Sequence, residues 1–312
     1  MRIAPGTLGE MRADILFNGL TRLLRGPGAR RDRDVSESEY SRFAGTTVDY
    51  VHTRDVERFA VIDGEVRKVS MREAIRHCYA ERNDILAKLS FRSILEVGAG
   101  ELTFLQSIYE RTGPSLDAYA LDITLNRLLH GLRYAQTKQM PVTAVQADAS
   151  AIPFPDNSFD LVVSSHALEQ MPGIYGAAIS EMVRVSRKHV VLFEPFYQRA
   201  SFIEKVRVRT TDYVRGIEPF VRTLPGVRVH EPFLCRSHGH PFNRTGVFHL
   251  EKTGEGASND PRAVCPVSGD ELRAAPGGYY SAKSSLFYPT VCGVPVLYRK
   301  YAQVVTADLL TA

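Results

Sequence analysis

Two closely spaced glycines, and the acidic residues around them, could build a nucleotide site. Gly98 and Gly100 directly follow a short apolar run at 94–97, and a helical pattern begins near residue 103. A glycine has no Cβ, so a ligand can approach its backbone, and it adopts positive φ angles at little cost. A strand that turns through glycines into a helix is typical of a nucleotide-binding turn.

An acidic residue follows at the spacing that such a site needs. Asp122 ends a second apolar run and lies 22 residues after Gly100. In α/β sheets, a carboxylate about 20 residues beyond the glycines binds the ribose hydroxyls of a nucleotide. Two alternatives stay open here, a dinucleotide dehydrogenase and an S-adenosylmethionine site. The dehydrogenase pattern has a third glycine at position 103, where this chain has Thr103, and this difference weakens that alternative.

The stretch 145–172 favours the second alternative. It resembles the third and fourth strands of class I S-adenosylmethionine-dependent methyltransferases, in the branch that methylates small molecules, quinones and lipids. The resemblance covers about residues 70–252 and departs from the family at Leu102, where many relatives have a small residue. It implies S-adenosylmethionine as cofactor and the following cofactor-binding residues: Glu96, Gly98, Ala99, Gly100, Asp122, Ile123, Asp148, Ala149 and His166.

Two residues after the fourth predicted strand are candidates for catalysis. Methyl transfer from a sulfonium is an in-line displacement, so positioning supplies most of the rate. An acceptor hydroxyl, amine or acidic carbon can still need a base. His166 is the first candidate, because histidine suits proton transfer near neutral pH, and Glu169 is the second. Relatives carry a similar turn as scaffolding, so a structural role stays open for both.

Three further residues are expected on the substrate side. His238 and His240 lie in a turn that should reach the active-site end of the sheet. The spacing Cys235-x2-His238-x-His240 matches no zinc ligand pattern, so we predict no metal. Arg207 belongs to a basic helical stretch at 199–222, which is either a surface helix or a lid that binds an anionic substrate.

The order of elements predicts the fold class. Apolar runs near 92–97, 117–122, 142–147, 159–165 and 189–194 alternate with helical patterns, which indicates a doubly wound, Rossmann-like parallel α/β sheet. The resemblance adds two strands near 227–235 and 245–251, giving seven. We expect an N-terminal extension with a helical cap at 1–69, which includes a helix at 11–24. The methyltransferase domain would span 70–252 and a linker 253–262.

The C-terminal segment resembles a small zinc-ribbon family that includes a methyltransferase activator subunit. The shared features are the stretches 265–269, 286–289 and 293–297. The family's four cysteine ligands correspond here to Cys265, Ser268, Ser281 and Ser284, so one of the four is kept. Structural zinc needs four ligands. The resemblance therefore implies a metal-free, β-rich ribbon at 263–300 and a tail at 301–312. The ribbon would pack on the catalytic domain or build a homo-oligomer.

Composition bounds the remaining alternatives. The 312 residues carry a net charge of +4 and four scattered cysteines, with no apolar run long enough for a membrane span. We therefore expect a cytoplasmic enzyme acting on a small molecule, such as a specialised metabolite, a lipid or a sugar intermediate, and an anionic one if the basic stretch is a lid. We expect no nucleic-acid partner. Two other functions stay open: an RNA or protein methyltransferase, and a non-catalytic scaffold with the same fold.

Overall fold

The computed structural model describes residues 56–254 and 256–306, together with residues 2, 3, 37, 41, 44 and 45. The predicted helix at 11–24, most of the N-terminal extension and residues 307–312 lie outside this part. The described helices are α1 Met71–Leu86, α2 Thr103–Thr112, α3 Leu125–Thr137, α4 Tyr175–Val185, α5 Phe202–Thr210 and α6 Ile217–Val221. The short 3₁₀ turns are Leu168–Gln170, Tyr197–Arg199 and Arg299–Tyr301.

The strands form three sheets. The first contains β1 Arg2–Ile3, β2 Glu57–Ile62 and β3 Glu65–Ser70. The central sheet contains β4 Ser93–Val97, β5 Asp117–Asp122, β6 Thr143–Gln146, β7 Phe159–Ser165, β8 Ser186–Pro195, β9 Val227–Val229, β10 Phe233–Leu234 and β11 Thr245–Lys252. The third contains β12 Arg273–Ala275, β13 Gly278–Ser281, β14 Leu286–Val291, β15 Val294–Pro295 and β16 Gln303–Val304.

The central sheet has the predicted Rossmann-like arrangement. Its order is β10-β11-β8-β7-β4-β5-β6, and β9 also pairs with β11. Strands β4 to β8 run parallel and β11 is antiparallel to β8. The strand predicted at 227–235 is two short strands, which pair with opposite ends of β11. Pro232 lies between them, and a proline has no N–H to donate to a ladder. Strands β9 and β10 therefore share one edge position, and the sheet has seven positions.

A β-hairpin and a capped helix precede the central sheet. Asp63 and Gly64 make the two-residue turn between β2 and β3, and both have positive φ, at 51° and 88°. This is the geometry of a type I′ hairpin turn. Ser70 caps α1 by accepting a hydrogen bond from the Glu73 N–H at 3.1 Å. The cap sets where α1 begins and thereby orients the helix that leads into β4.

The C-terminal sheet is attached to the β6 edge of the central sheet. Gln146 at the end of β6 bridges to Val296, and the Leu297 N–H donates to the Gln146 carbonyl at 2.8 Å. Cys265 and Tyr288 are buried in the same apolar cluster as the interior of the central sheet. An edge strand with free backbone groups is prone to pairing with other chains, so this attachment covers a vulnerable edge.

None of the described helices is both long and apolar enough to cross a bilayer.

Candidate active site

The glycine loop after β4 is shaped by backbone contacts. Gly98 and Gly100 have φ angles of 74° and 53°, in the left-handed region that favours glycine. A Cβ on Gly98 would lie 2.3 Å from the Ala167 Cβ, so no larger residue fits there. The N–H groups of Gly98 and Ala99 both donate to the Leu121 carbonyl, at 2.8 and 3.0 Å. These bonds fix the loop against the end of β5.

Leu102, which replaces the small residue of the resembled family, is accommodated by a glycine on the next helix. Leu102 has a φ of 61°, precedes the first residue of α2 and is fully buried. A Cβ on Gly131 of α3 would lie 2.6 Å from the Leu102 Cγ. The missing side chain at 131 therefore makes room for the extra volume at 102, and the loop keeps its close approach to α3.

Three buried carboxylates surround this loop. Asp122 accepts from the Gly100 N–H through Oδ2 and from the Thr124 N–H through Oδ1, both at 2.8 Å. Glu96 accepts from the Leu105 N–H at 3.1 Å, and burial, with a smaller contribution from the charge of Asp122, raises the pKa of Glu96 to about 8. Asp148 accepts from the N–H and hydroxyl of Ser150. The three strand ends thus bring their acidic side chains to one side of the sheet.

A single cavity of about 330 Å³ lies over these strand ends. All nine predicted cofactor-binding residues line it: Glu96, Gly98, Ala99, Gly100, Asp122, Ile123, Asp148, Ala149 and His166. The lining also includes residues that the sequence did not single out, among them Tyr79 of α1 and Ser165 of β7. The Thr124 hydroxyl at its wall is buried and has no hydrogen-bond partner among the described residues. The cavity therefore offers an unused polar group to a ligand.

His166 has both ring nitrogens engaged. Its φ is 54°, its Nδ1 lies 3.2 Å from Glu169 Oε2, and its Nε2 lies 2.8 Å from Thr245 Oγ1. Asn243 Nδ2 also donates to Glu169 Oε2, at 3.0 Å. Burial raises the pKa of Glu169, but its contacts with His166 and Asn243 hold that pKa below the usual range. Glu169 is therefore a buried carboxylate that orients the histidine ring, and the cavity lining does not include it.

Glu194, at the end of β8, holds the turn that carries His166. Its Oε1 accepts from the Ala167 and Leu168 N–H groups at 3.0 and 3.1 Å, and its Oε2 accepts from the Glu169 N–H at 3.1 Å. The Ser164 hydroxyl donates to the same Oε1 at 2.9 Å. Burial raises the pKa of Glu194 to about 7. Four donors on one carboxylate make this turn rigid.

Arg82 of α1 is a buried cation behind the cavity wall. It is 4% exposed and donates to Ser165 Oγ at 2.6 Å and to Thr245 Oγ1 at 3.4 Å. Three aromatic rings surround its guanidinium, those of Tyr79, Phe104 and Phe193. No carboxylate of the described residues forms an ion pair with it, and its Nε has no hydrogen-bond partner there. Such a charge is costly unless a ligand compensates it.

The three predicted substrate residues do not line the cavity. His238 is buried, its Nδ1 accepts from the Thr245 N–H at 3.0 Å, and its backbone pairs with Val61 of the hairpin. His240 Nδ1 accepts from the Phe242 N–H at 3.0 Å. Arg207 of α5 stacks over the Tyr213 ring, with 5.6 Å to its centroid. Their contact with a substrate stays a prediction.

No group of three or more His, Cys, Asp or Glu side chains is arranged to hold a metal ion within the described ranges. The four positions that correspond to zinc ligands in the resembled ribbon do come together. Cys265 Sγ lies 3.4 Å from Ser284 Oγ, Ser281 Oγ lies 2.7 Å from Ser284 Oγ, and Ser268 Oγ lies 3.3 Å from Ser281 Oγ. Asp270 accepts from the Ser281 hydroxyl at 2.8 Å. A carboxylate–hydroxyl network thus occupies this corner.

Comparison with known proteins agrees with the geometry. Residues 94–189 match the family described as "Methyltransferase domain". This segment is similar to methyltransferase domains, and it covers less than half of the chain. The match confirms the predicted enzyme class for the domain, with S-adenosylmethionine as its cofactor. The chain is 31% identical over 112 residues to a demethylmenaquinone methyltransferase of Anoxybacillus flavithermus, covering 35% of this chain and 47% of that protein.

A second relative matches the chain at a similar sequence identity. A ubiquinone/menaquinone biosynthesis C-methyltransferase of Cupriavidus metallidurans is 30% identical over 151 residues, covering 45% of this chain and 61% of that protein. The chain thus spans about half the length of the curated relatives it matches.

Two solved structures share the fold at low sequence identity. A [4+2]-cyclase, SpnF, superposes with a TM-score of 0.55 and 13% identity over 74% of this chain and 99% of that one. The magnesium protoporphyrin IX methyltransferase of Synechocystis PCC 6803, with S-adenosylmethionine bound, gives 0.50 and 14% over 72% and 99%. One neighbour is named as a cyclase and the other as a methyltransferase, so the shared fold alone does not determine the reaction.

Proposed function

We propose that the chain is an S-adenosylmethionine-dependent methyltransferase that acts on a small-molecule acceptor. The observation that carries this proposal is the convergence of nine residues, from the ends of four parallel strands, on one cavity of about 330 Å³. Ligands of doubly wound sheets bind at this end of the strands. The names of the curated relatives are those of quinone-modifying enzymes, which supports a small molecule as the acceptor.

The residues present fit the cofactor. The loop at Gly98 has no room for a side chain, and such a loop lets a ligand lie against the backbone. Asp122 keeps free lone pairs for ribose hydroxyls, and the unpartnered Thr124 hydroxyl lies beside it on the wall. Asp148 and Ala149 would hold the adenine edge. S-adenosylmethionine, when bound, supplies an electrophilic methyl group on a positively charged sulfur.

The contacts of His166 favour a positioning role over the predicted role as a base. The Glu169 carboxylate only accepts, so the His166 ring carries a hydrogen on Nδ1 and donates it to Glu169. With its single hydrogen on Nδ1, the ring accepts from the Thr245 hydroxyl through Nε2. In this tautomer neither ring nitrogen is free to take a proton from the molecule that receives the methyl group. Orientation and proximity would then supply the rate.

The cofactor site is tested by calorimetric titration with S-adenosylhomocysteine. We expect micromolar binding to the wild type and at least about a 30-fold loss in Asp122→Ala, equivalent to about 2 kcal/mol. The matched control is Asp160→Ala, because Asp160 also accepts two backbone N–H groups, from Arg92 and Ser93, but lies outside the cavity lining. The control should bind like the wild type. If the wild type does not bind the ligand, the proposal fails.

Methyl transfer itself is tested by coupled detection of S-adenosylhomocysteine. The acceptor panel should contain hydroquinones, glycolipids and amino sugars, with a folded RNA as the macromolecular alternative. We expect turnover with a small molecule and none with RNA. Turnover with RNA alone would contradict the small-molecule assignment and leave the cofactor site intact.

For the C-terminal segment, we propose that residues 263–300 form a metal-free ribbon that closes the β6 edge. The hydroxyl network of Ser281, Ser284 and Asp270, at the position of the resembled zinc ligands, supports this proposal. The test is the combined variant Ser268→Cys, Ser281→Cys, Ser284→Cys. With four thiolates available, it should bind one zinc ion per chain by elemental analysis, and the wild type none. Zinc in the wild type would contradict the proposal. A homo-oligomer built through this segment stays a prediction.

A further inference from the structure

Helix α5 turns apolar side chains toward solvent. Phe202 is 80% exposed, Ile203 54% and Val206 43%. Nine large apolar side chains are exposed among the described residues, and these three are the ones that share a helix. Exposed apolar residues that are scattered singly need no explanation, but a cluster marks an interaction surface. We call Phe202, Ile203 and Val206 the apolar face of α5.

The opposite side of α5 is fixed to the protein. Val208 is buried, and Glu204 is buried and pairs with Arg244 at 2.7 Å. The side chains of Ser201 and Glu204 form a reciprocal capping box at the start of the helix. The helix is therefore anchored by the face that carries 204 and 208. It cannot rotate to bury Phe202 without breaking a buried ion pair.

Basic side chains border the apolar face. At 100° per residue, Phe202, Val206 and Ile203 span one side of the helix, with Lys205 and Arg209 along one border and Arg207 along the other. Within the part of the chain that the structure describes, Lys205 and Arg209 take part in no ion pair, and the one acid on α5 is the paired Glu204. The surface around the apolar face is thus positively charged.

The apolar face and its basic border together favour one kind of binding partner over another. A second copy of the chain would place Lys205 and Arg209 against the same residues in a two-fold contact, which is repulsive. A negatively charged lipid surface satisfies both halves of the pattern, because apolar side chains enter the acyl boundary while basic ones meet the headgroups. We propose that α5 docks the protein on an anionic membrane surface, with Phe202 and Ile203 inserted.

The docked helix would lie close to the residues that orient His166. The Val214 N–H, just beyond α5, donates to the Glu169 carbonyl at 3.2 Å, and Arg244 joins α5 to the start of β11, where Thr245 contacts His166. A lipid-soluble acceptor would then approach the site from the membrane. This last step rests on the proposed function, whereas the docking itself does not.

The test is co-sedimentation of the full chain with vesicles, without cofactor or acceptor. We expect at least tenfold stronger partitioning to phosphatidylcholine vesicles containing phosphatidylglycerol than to phosphatidylcholine alone. The double variant Phe202→Ser, Ile203→Ser should lose at least tenfold, and so should Lys205→Glu, Arg209→Glu. The matched control is Val304→Ser, because Val304 is 83% exposed on a separate sheet. It should partition like the wild type.

Three results would overturn the docking proposal. The wild type could fail to bind the anionic vesicles, Val304→Ser could lose as much as the α5 variants, or the α5 variants could bind unchanged. If Phe202→Ser, Ile203→Ser abolishes a concentration-dependent dimer seen by sedimentation velocity and leaves vesicle binding unchanged, the face is a self-association surface. Circular dichroism checks that each variant is folded. S-adenosylhomocysteine titration of the same variants reports on the proposed function separately.

Discussion

Replacing Arg82 by methionine should weaken ligand binding without weakening the fold. The guanidinium only donates hydrogen bonds, so Ser165 Oγ must accept from it, and the Ser165 hydrogen is left to point elsewhere. Ser165 lines the cavity, whereas Arg82 stands behind it. Ser165 is thus a polarised donor toward an anionic group in the cavity. We predict that Arg82→Met selectively weakens ligands that carry a carboxylate.

The size of the effect follows from the geometry. The Arg82–Ser165 bond is 2.6 Å long, and a second hydrogen bond of about 2.7 Å would place a ligand carboxylate about 5 Å from the guanidinium. With an effective dielectric constant of about 20, the attraction is about 3 kcal/mol, or on the order of 100-fold in Kd. Stability without ligand should change little or rise, because removing an uncompensated buried charge offsets the lost hydrogen bonds.

The assay compares two ligands by calorimetry. S-adenosylhomocysteine carries the amino-acid carboxylate, and 5′-methylthioadenosine lacks it. Arg82→Met should lose about 100-fold for the first ligand and almost nothing for the second. The control is Arg187→Met, which breaks the 3.0 Å pair with Asp160 outside the cavity lining. It should lower the Tm and leave both affinities unchanged. Equal weakening of both ligands by Arg82→Met, or no weakening of either, would contradict the prediction.

Three further predictions test the supports of the site. Gly131→Ala should lower the free energy of unfolding by about 1–3 kcal/mol in urea, since the new Cβ would lie 2.6 Å from the Leu102 Cγ; wild-type stability would show that the loop yields. Glu194→Gln should cost about 2–4 kcal/mol in the same assay, because the amide nitrogen faces a backbone N–H; a neutral change would mean that the carboxylate does not hold the turn. Burial lowers the pKa of His238 to about 3, so the unfolded chain takes the proton first as the pH falls. Stability is then full above about pH 6.5 and is lost as the pH falls toward 3, by about 2 kcal/mol at pH 5. His238→Asn should flatten this dependence, and an unchanged slope would assign it to other groups.

The central fold was predictable because its rules are local. The inner parallel strands are buried on both faces and therefore read as continuous apolar runs, as in 161–163 and 190–193. The carboxyl ends of parallel strands meet at one edge, so Gly98, Asp122 and Asp148 had to lie near one another once the strands were recognised. The predicted strand at 227–235 was wrong in one respect. Pro232 interrupts it, and two short strands form instead.

The supports of the site were less predictable because they come from distant parts of the chain. Arg82 and Thr245 are 163 residues apart and belong to no motif, yet both contact the His166 turn or its neighbour. The sequence around Arg82 did contain an indication that this residue is unusual. It lies four residues after Cys78 and four before Leu86, on the buried stripe of α1, where a charge is out of place. A charged residue in the apolar stripe of a helix is therefore a candidate site residue, as the residues of a motif are.

The histidines of the 235–243 turn show a second limit of prediction from the sequence. Their residue type suggested contact with substrate, but a side chain's direction depends on what its backbone pairs with. His238 is held by two backbone hydrogen bonds to Val61, from a hairpin 177 residues earlier, and this pairing turns its ring toward the Thr245 N–H. Burial then keeps the ring neutral and lets its Nδ1 accept. Because His238 Nδ1 accepts from a buried N–H, it cannot bind a substrate group through the same nitrogen, and this hydrogen bond holds Thr245 where Thr245 contacts His166.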